Sequence, residues 1–227
     1  MSNALLLLQM SDSNFPIGSF SHSFGFETYM MAGKINNADE FAKWLDTYLY
    51  DQVVLSDGYA VARVVEALDN HDLASVCAYN EQLNALLSPK EVRDANLRMG
   101  RQFLKLAKQL HNDETLDAYQ NLIKEKRISP HQAIVYTLLA HNIGVDQKTT
   151  IETYLMNMLI SIVQNAVRGI PIGQVAGQRL IFSYQDLISK WSLELIENVN
   201  VPFGVASPGL EIAQMQHEFL RARNFMS

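Results

Sequence analysis

Apolar residues recur at three- and four-residue steps along much of this chain. Between Glu40 and Leu55 the stripe is Phe41, Trp44, Leu45, Tyr48 and Leu49; between Arg98 and Leu110 it is Met99, Phe103, Leu106, Ala107 and Leu110. That period puts the apolar side chains on one face of a helix. From Tyr154 to Val167 apolar residues dominate but are interrupted by Asn157, Ser161, Gln164 and Asn165, which predicts a buried helix rather than a membrane span. One segment pulls towards strand: in Val53–Val61, β-branched residues flank Asp57-Gly58, a hairpin signal. The helical stripe before it, and Ala60, Ala62 and Ala67 after it, favour a helix break instead, with Ser56 or Asp57 capping the new helix.

Helix punctuation is frequent. Ser88-Pro89-Lys90-Glu91 offers a capping serine, a proline at the first helical position and a glutamate three residues after the cap. Ser129-Pro130 and Ser207-Pro208 repeat the serine–proline start, and Asp146 is placed to cap a helix over Gln147–Arg168. Gly33, Gly144 and Gly169 follow apolar-periodic runs, as terminating glycines do. The pattern predicts an all-α fold: a single-domain bundle of about nine or ten helices over residues 1–227.

Composition narrows the function classes. Hydrophobic residues make up 48% of the 227 and charged residues 19%, so a core can form without staples. The single cysteine, Cys77, excludes an internal disulfide framework and reads as a core thiol. A net charge of −6 argues against a nucleic-acid binder. Seven acids and two bases fall in residues 1–60, either as solvated helix faces or as an acidic face for a basic partner. The start, with Leu5–Leu8, lacks a basic region and a small-residue cleavage site, so no signal peptide is expected and the location expected is cytoplasmic.

Reactive constellations are missing. No phosphate-binding G-x-x-x-x-G-K-[ST] loop, dinucleotide G-x-G-x-x-G or nucleophile elbow occurs. The histidines (His22, His71, His111, His131, His141 and His217) form no close pair at metal-ligand spacing, so neither a metal site nor a cofactor is expected.

Three segments are more specific than packing requires. Asn14–Glu27 contains Pro16 and Gly18, which mark an ordered loop; Ser21 or His22 can cap the following helix, with Glu27 near its N-terminus. Asn165–Arg179 carries Gly169, Gly173 and Gly177 at four-residue spacing. Gly173 and Gly177 suit close helix packing, and Gln174 and Gln178 form a polar stripe beside them. In the tail, Pro208–Arg221 reads as an amphipathic helix with Leu210, Ala213, His217 and Leu220 on one stripe and Ile212, Met215 and Phe219 on another. Such a tail must dock on its own body or on a partner.

Taken together, LLLLQMSDSNFPIGSFSHSFGFE, GRQFLKLA, NAVRGIPIGQVAGQRL and SPGLEIAQMQHE resemble the UreF family of urease accessory proteins, in order and across essentially the whole chain. Departures are small: Gly169 follows Arg168 where a bulky apolar residue is usual, and Phe26 replaces a common leucine. The resemblance implies an all-α homodimer without catalysis of its own. It implies binding to the accessory protein UreD (UreH) and recruitment of the GTPase UreG to apo-urease for nickel insertion. An alternative is a direct GTPase activator. On this basis Pro16, Gly18, Ser21, His22, Glu27, Arg168, Gly173, Gln174 and Gln178 are assigned to a GTPase-facing surface. Pro208, Glu211, Gln216, His217 and Arg221 are assigned to a UreD-facing tail, residues 200–227, ordered by dimer or partner contacts.

Overall fold

The structure, a computed structural model, describes residues 3–12, 14–198 and 200–227, and among these it contains helices and no strand. The helices are α1 (Asn3–Met10), α2 (Phe26–Met31), α3 (Ala38–Thr47), α4 (Tyr59–Asp69), α5 (Leu73–Leu86) and α6 (Lys90–Leu110). They continue as α7 (Glu114–Lys124), α8 (Gln132–Asn142), α9 (Gln147–Gly169), α10 (Gly173–Ser183), α11 (Gln185–Glu197) and α12 (Pro208–Gln216). The all-α expectation therefore holds.

The core forms around α8 and α9. Gln132 through Ala140 are all buried, so α8 meets solvent only at its last two residues, His141 and Asn142, as a largely apolar central helix must. It packs between α4 and α6, and α9 packs across α4, α10 and α11. α6 approaches the start of α8 at Gly100, where a Cβ would lie 2.9 Å from the Pro130 carbonyl oxygen. A side chain there would force the two backbones apart.

Four helices are capped by side-chain oxygens. Asp146 accepts from the Thr149 N–H at 2.9 Å, as its position predicts. Asn37, Asp72 and Asp113 cap α3, α5 and α7 in the same way. Gly33 and Gly144 end their helices with φ of 67° and 75°. Ser129 does not cap α8; the His131 ring does, its Nδ1 accepting from the Ala133 N–H at 3.3 Å. Gly169 is not left-handed but closes α9 as a helical residue.

Neither hairpin nor helix break exists at Val53–Val61. The chain runs from α3 into α4 through a π-helical segment, Tyr48–Gly58. The Ser56 hydroxyl bonds back to the Gln52 carbonyl and caps nothing. The wide turns bury Val53 through Gly58 and carry Asp57 inside. There the Tyr154 hydroxyl donates to its carboxylate, and His131 Nε2 lies 3.9 Å away. Burial pushes Asp57 up to about 7 and His131 down to about 3, so the pair is largely neutral rather than an ion pair. Asp57 and Glu27 are both internal, so the acidic first quarter is not one solvated face. Cys77 is half-buried at the margin of the core rather than within it.

Because the folded chain holds the Asp57 proton to higher pH than the unfolded chain does, this group lowers stability as pH rises from about 4 to about 7. Asp57→Asn removes that cost. The variant should melt higher than the parent at about pH 8, with the difference shrinking towards about pH 4. Parallel melting profiles across that range would show that Asp57 does not titrate in this way.

Candidate functional site

The loop before α2 is set by backbone geometry. Gly18 has a φ of 95°, and Phe24 and Gly25 follow one another in the left-handed region at 49° and 103°. A bulky residue at positive φ is strained and needs neighbours to hold it. Phe24 stacks on Tyr48, and its carbonyl accepts from Gln214 Nε2 at 2.9 Å. At Gly25 a Cβ would fall 2.9 Å from Gln214 Cγ, so glycine also makes room for the tail.

The end of α9 holds the other side of the loop. Asn165 Nδ2 donates to the Ser19 and His22 carbonyls at 3.0 and 2.7 Å. The Arg168 guanidinium donates to the Phe20 carbonyl and, at 2.6 Å, to Asn165 Oδ1, while lying over the rings of Phe20 and Phe225. Gly169 is small because those packed rings surround it: a Cβ would sit 3.1 Å from Phe225 and 3.3 Å from Phe26.

The tail closes the assembly. Met226 N–H donates to the Ser21 carbonyl at 2.8 Å, and the backbone oxygen of Ser227 accepts from Ser23 and Phe24. His22 Nδ1 and the Ser227 hydroxyl are 2.9 Å apart. Burial, helped by the positive charges of Arg98 and His217, pushes His22 down to about 4, so this imidazole is neutral.

His217 behaves differently. Its Nε2 lies 2.8 Å from Glu27 and its Nδ1 lies 2.6 Å from Glu91. A carboxylate only accepts, so an imidazole bonded to carboxylates through both nitrogens carries both protons. Glu27, fully buried, also accepts from the Asn224 and Phe225 N–H groups at 2.6 and 3.2 Å, and Arg223 reaches Glu91 at 2.7 Å. Two carboxylates, one imidazolium and one guanidinium balance in charge. Among the described residues, no three His, Cys, Asp or Glu side chains converge to hold a metal ion.

The two surfaces proposed from sequence thus meet in one structure. His22, Glu27 and His217 are buried and face no solvent. Neither Ser21 nor His22 caps α2; Gly25 occupies that position. Pro16, Arg168, Gly173, Gln174, Gln178, Pro208, Gln216 and Arg221 are exposed, whereas Gly18, Ser21 and Glu211 are half-buried. Gly177 packs closely as expected, 2.8 Å from Val167 if given a Cβ, but Gly173 has open space and serves a φ of 69°. Of the two tail stripes, Leu210, Ala213 and His217 turn inward, while Ile212, Met215 and Phe219 are 53%, 42% and 78% exposed.

Sequence reading missed Glu91 and Arg223. Glu91, the last residue of the expected capping box, instead reaches His217, and Ser88 does not cap α6, whose N-cap position Pro89 occupies without a side-chain bond. A histidine on an otherwise apolar inward stripe was the available signal, since a buried imidazole demands polar partners.

Replacing His217 by Asn leaves Glu27 buried without its counter-charge, a defect of about 3–5 kcal/mol. Hydrogen exchange at the Asn224 and Phe225 amides should then accelerate well beyond exchange in α8. Unchanged protection at those two amides would remove His217 from the anchoring role.

The UreF family model matches residues 35–185. A urease accessory protein UreF of Lachnoclostridium phytofermentans is 41% identical over 230 residues, with both chains fully covered. That of Bacillus sp. strain TB-90 is 39% identical over 227 residues, again with full coverage of both. The chain therefore belongs to the UreF family of urease accessory proteins.

Proposed function

We propose that this chain is a non-catalytic adaptor of urease maturation, acting as a cytoplasmic homodimer that joins UreD (UreH) and recruits the GTPase UreG to apo-urease for nickel insertion. The observation that carries this reading is the division of labour in the tail. His217 is turned inward to Glu27 and Glu91, yet Ile212 and Met215 on α12 and Phe219 in the 3-10 turn that follows it remain in solvent. Large apolar side chains clustered in water mark a protein-binding surface. Proposed UreD contacts are Pro208, Glu211, Gln216 and Arg221 around those three. Pro16, Gly18, Ser21, Arg168, Gly173, Gln174 and Gln178 form the proposed UreG side. His22, Glu27 and His217 act by positioning. The Arg168 guanidinium already serves the Phe20 carbonyl, which favours a role in shaping the loop over direct action on nucleotide.

Phe219→Asp changes an exposed residue and leaves the buried anchor untouched. It should reduce co-purification of UreD by about tenfold or more, as loss of a central anchor does. Capture equal to the parent sinks the tail assignment. Arg168→Ala should weaken UreG recruitment and nickel-dependent activation of apo-urease. If it instead leaves recruitment intact and slows single-turnover GTP hydrolysis by UreG, the activator reading replaces the adaptor.

A further inference from the structure

We propose that the exposed face of α6 from Arg98 to Lys105 is a docking surface for an acidic segment of a partner protein. The face lies outside the residues assigned above to UreD and UreG. Of the four segments that carry the family resemblance, it contains the one those surfaces leave unused, Gly100–Ala107. Packing accounts for the inward residues of that segment: Phe103, Leu104 and Ala107 are buried, and Gly100 lets α6 approach the Pro130 carbonyl. It does not account for Arg101 and Lys105, which point into solvent.

Arg98, Arg101 and Lys105 share one side of the helix. At the helical period the second lies about 60° and the third about 20° from the first, over about 10 Å of axis. All three are exposed, and none forms an ion pair among the described residues. The other cations of α6 are engaged: Lys90 with Asp94 at 2.7 Å, Arg93 with the Leu87 and Ser88 carbonyls at 3.0 and 3.1 Å, and Lys108 with Asp117. No acid occurs from Ala95 to Leu110. Asp94, one turn before Arg98, is taken by Lys90, and Glu91 by His217 and Arg223. The neighbouring loop packs on α6 through Phe15 and Phe103, and its Asp12 accepts from Asn14.

This spacing works against the isolated helix. Arg98 and Arg101 stand three residues apart, and Arg101 and Lys105 four, so like charges face each other on adjacent turns. Carboxylates supplied from outside relieve that repulsion. In a chain of net charge −6 the stripe is also a local reversal of sign, which steers an acidic partner to this face. The two guanidinium groups can each take a carboxylate through paired N–H bonds. A nucleic acid would meet three cations and then an acidic remainder. An anionic lipid surface calls for a cluster of about four to eight cations.

Amide spectra of the full chain test the surface, titrated with a helical peptide bearing glutamates at i, i+3 and i+7. A single-stranded thymidine oligonucleotide and phosphatidylglycerol vesicles form the other arms. The peptide should bind saturably, with shifts centred on Arg98–Lys105, and added salt should weaken it. The triple variant Arg98→Gln/Arg101→Gln/Lys105→Gln should bind the peptide about tenfold or more weakly. It should melt no lower than the parent, because the repulsion is gone. Tighter binding of the oligonucleotide or the vesicles than of the peptide overturns the protein-partner assignment. Absence of saturable peptide binding, shifts centred elsewhere, or undiminished binding by the variant overturns the surface. A variant that melts lower assigns the three cations to the fold and overturns it as well.

Discussion

The imidazole of His217, held between Glu27 and Glu91, fixes where everything around the tail lies. An apolar contact is non-directional and would tolerate sliding of a short helix over its bed. Charge-assisted hydrogen bonds are short and directional, and here they connect three elements that are distant in sequence: α2, α6 and the segment after α12. Glu27 extends the lock to the backbone of Asn224 and Phe225, which seats Phe225 against Phe26 and Arg168. The loop, the end of α9 and the tail are therefore one mechanical unit. Each of the three supplies a hydrogen bond that another needs.

This coupling explains why motif residues divide into two kinds. Asn165, Gln214, His22, Glu27 and His217 are polar but inward, and their work is to give the backbone of the loop and tail a unique course. Pro16, Phe20, Gln174, Gln178, Ile212, Met215 and Phe219 are what that course displays. A polar residue in a recognisable motif is thus as often an internal strut as a contact.

The helical architecture was legible because its determinants are local. Periodic apolar stripes, Asp146 and the terminal glycines act within a turn or two of the chain, so pattern alone locates them. What escaped detection depends on partners far apart in sequence. Glu91 satisfies a local capping pattern equally well on paper, and only the approach of His217 decides its role. At Val53–Val61 the ambiguity between hairpin and helix break concealed a third outcome. The π segment satisfies its backbone within the helix and spends the β-branched residues on burial. The loop and tail motifs were identifiable as special, but which of their residues face outward required the fold.

The π segment has a consequence for how this family can change in length. Its i→i+5 turns hold more residues per turn than the flanking helices, like slack wound into a rope. Removing a residue from Tyr48–Gly58 would let the coil tighten, and the whole of α4 would rotate about its axis. Arg63, which pairs with Glu66 within α4 and reaches across to the Leu195 carbonyl of α11, would then lose that second partner. Residue count in this stretch is therefore constrained independently of residue identity. Insertions and deletions should be rarer there than substitutions, and an aligned gap inside it would signal a differently phased α4.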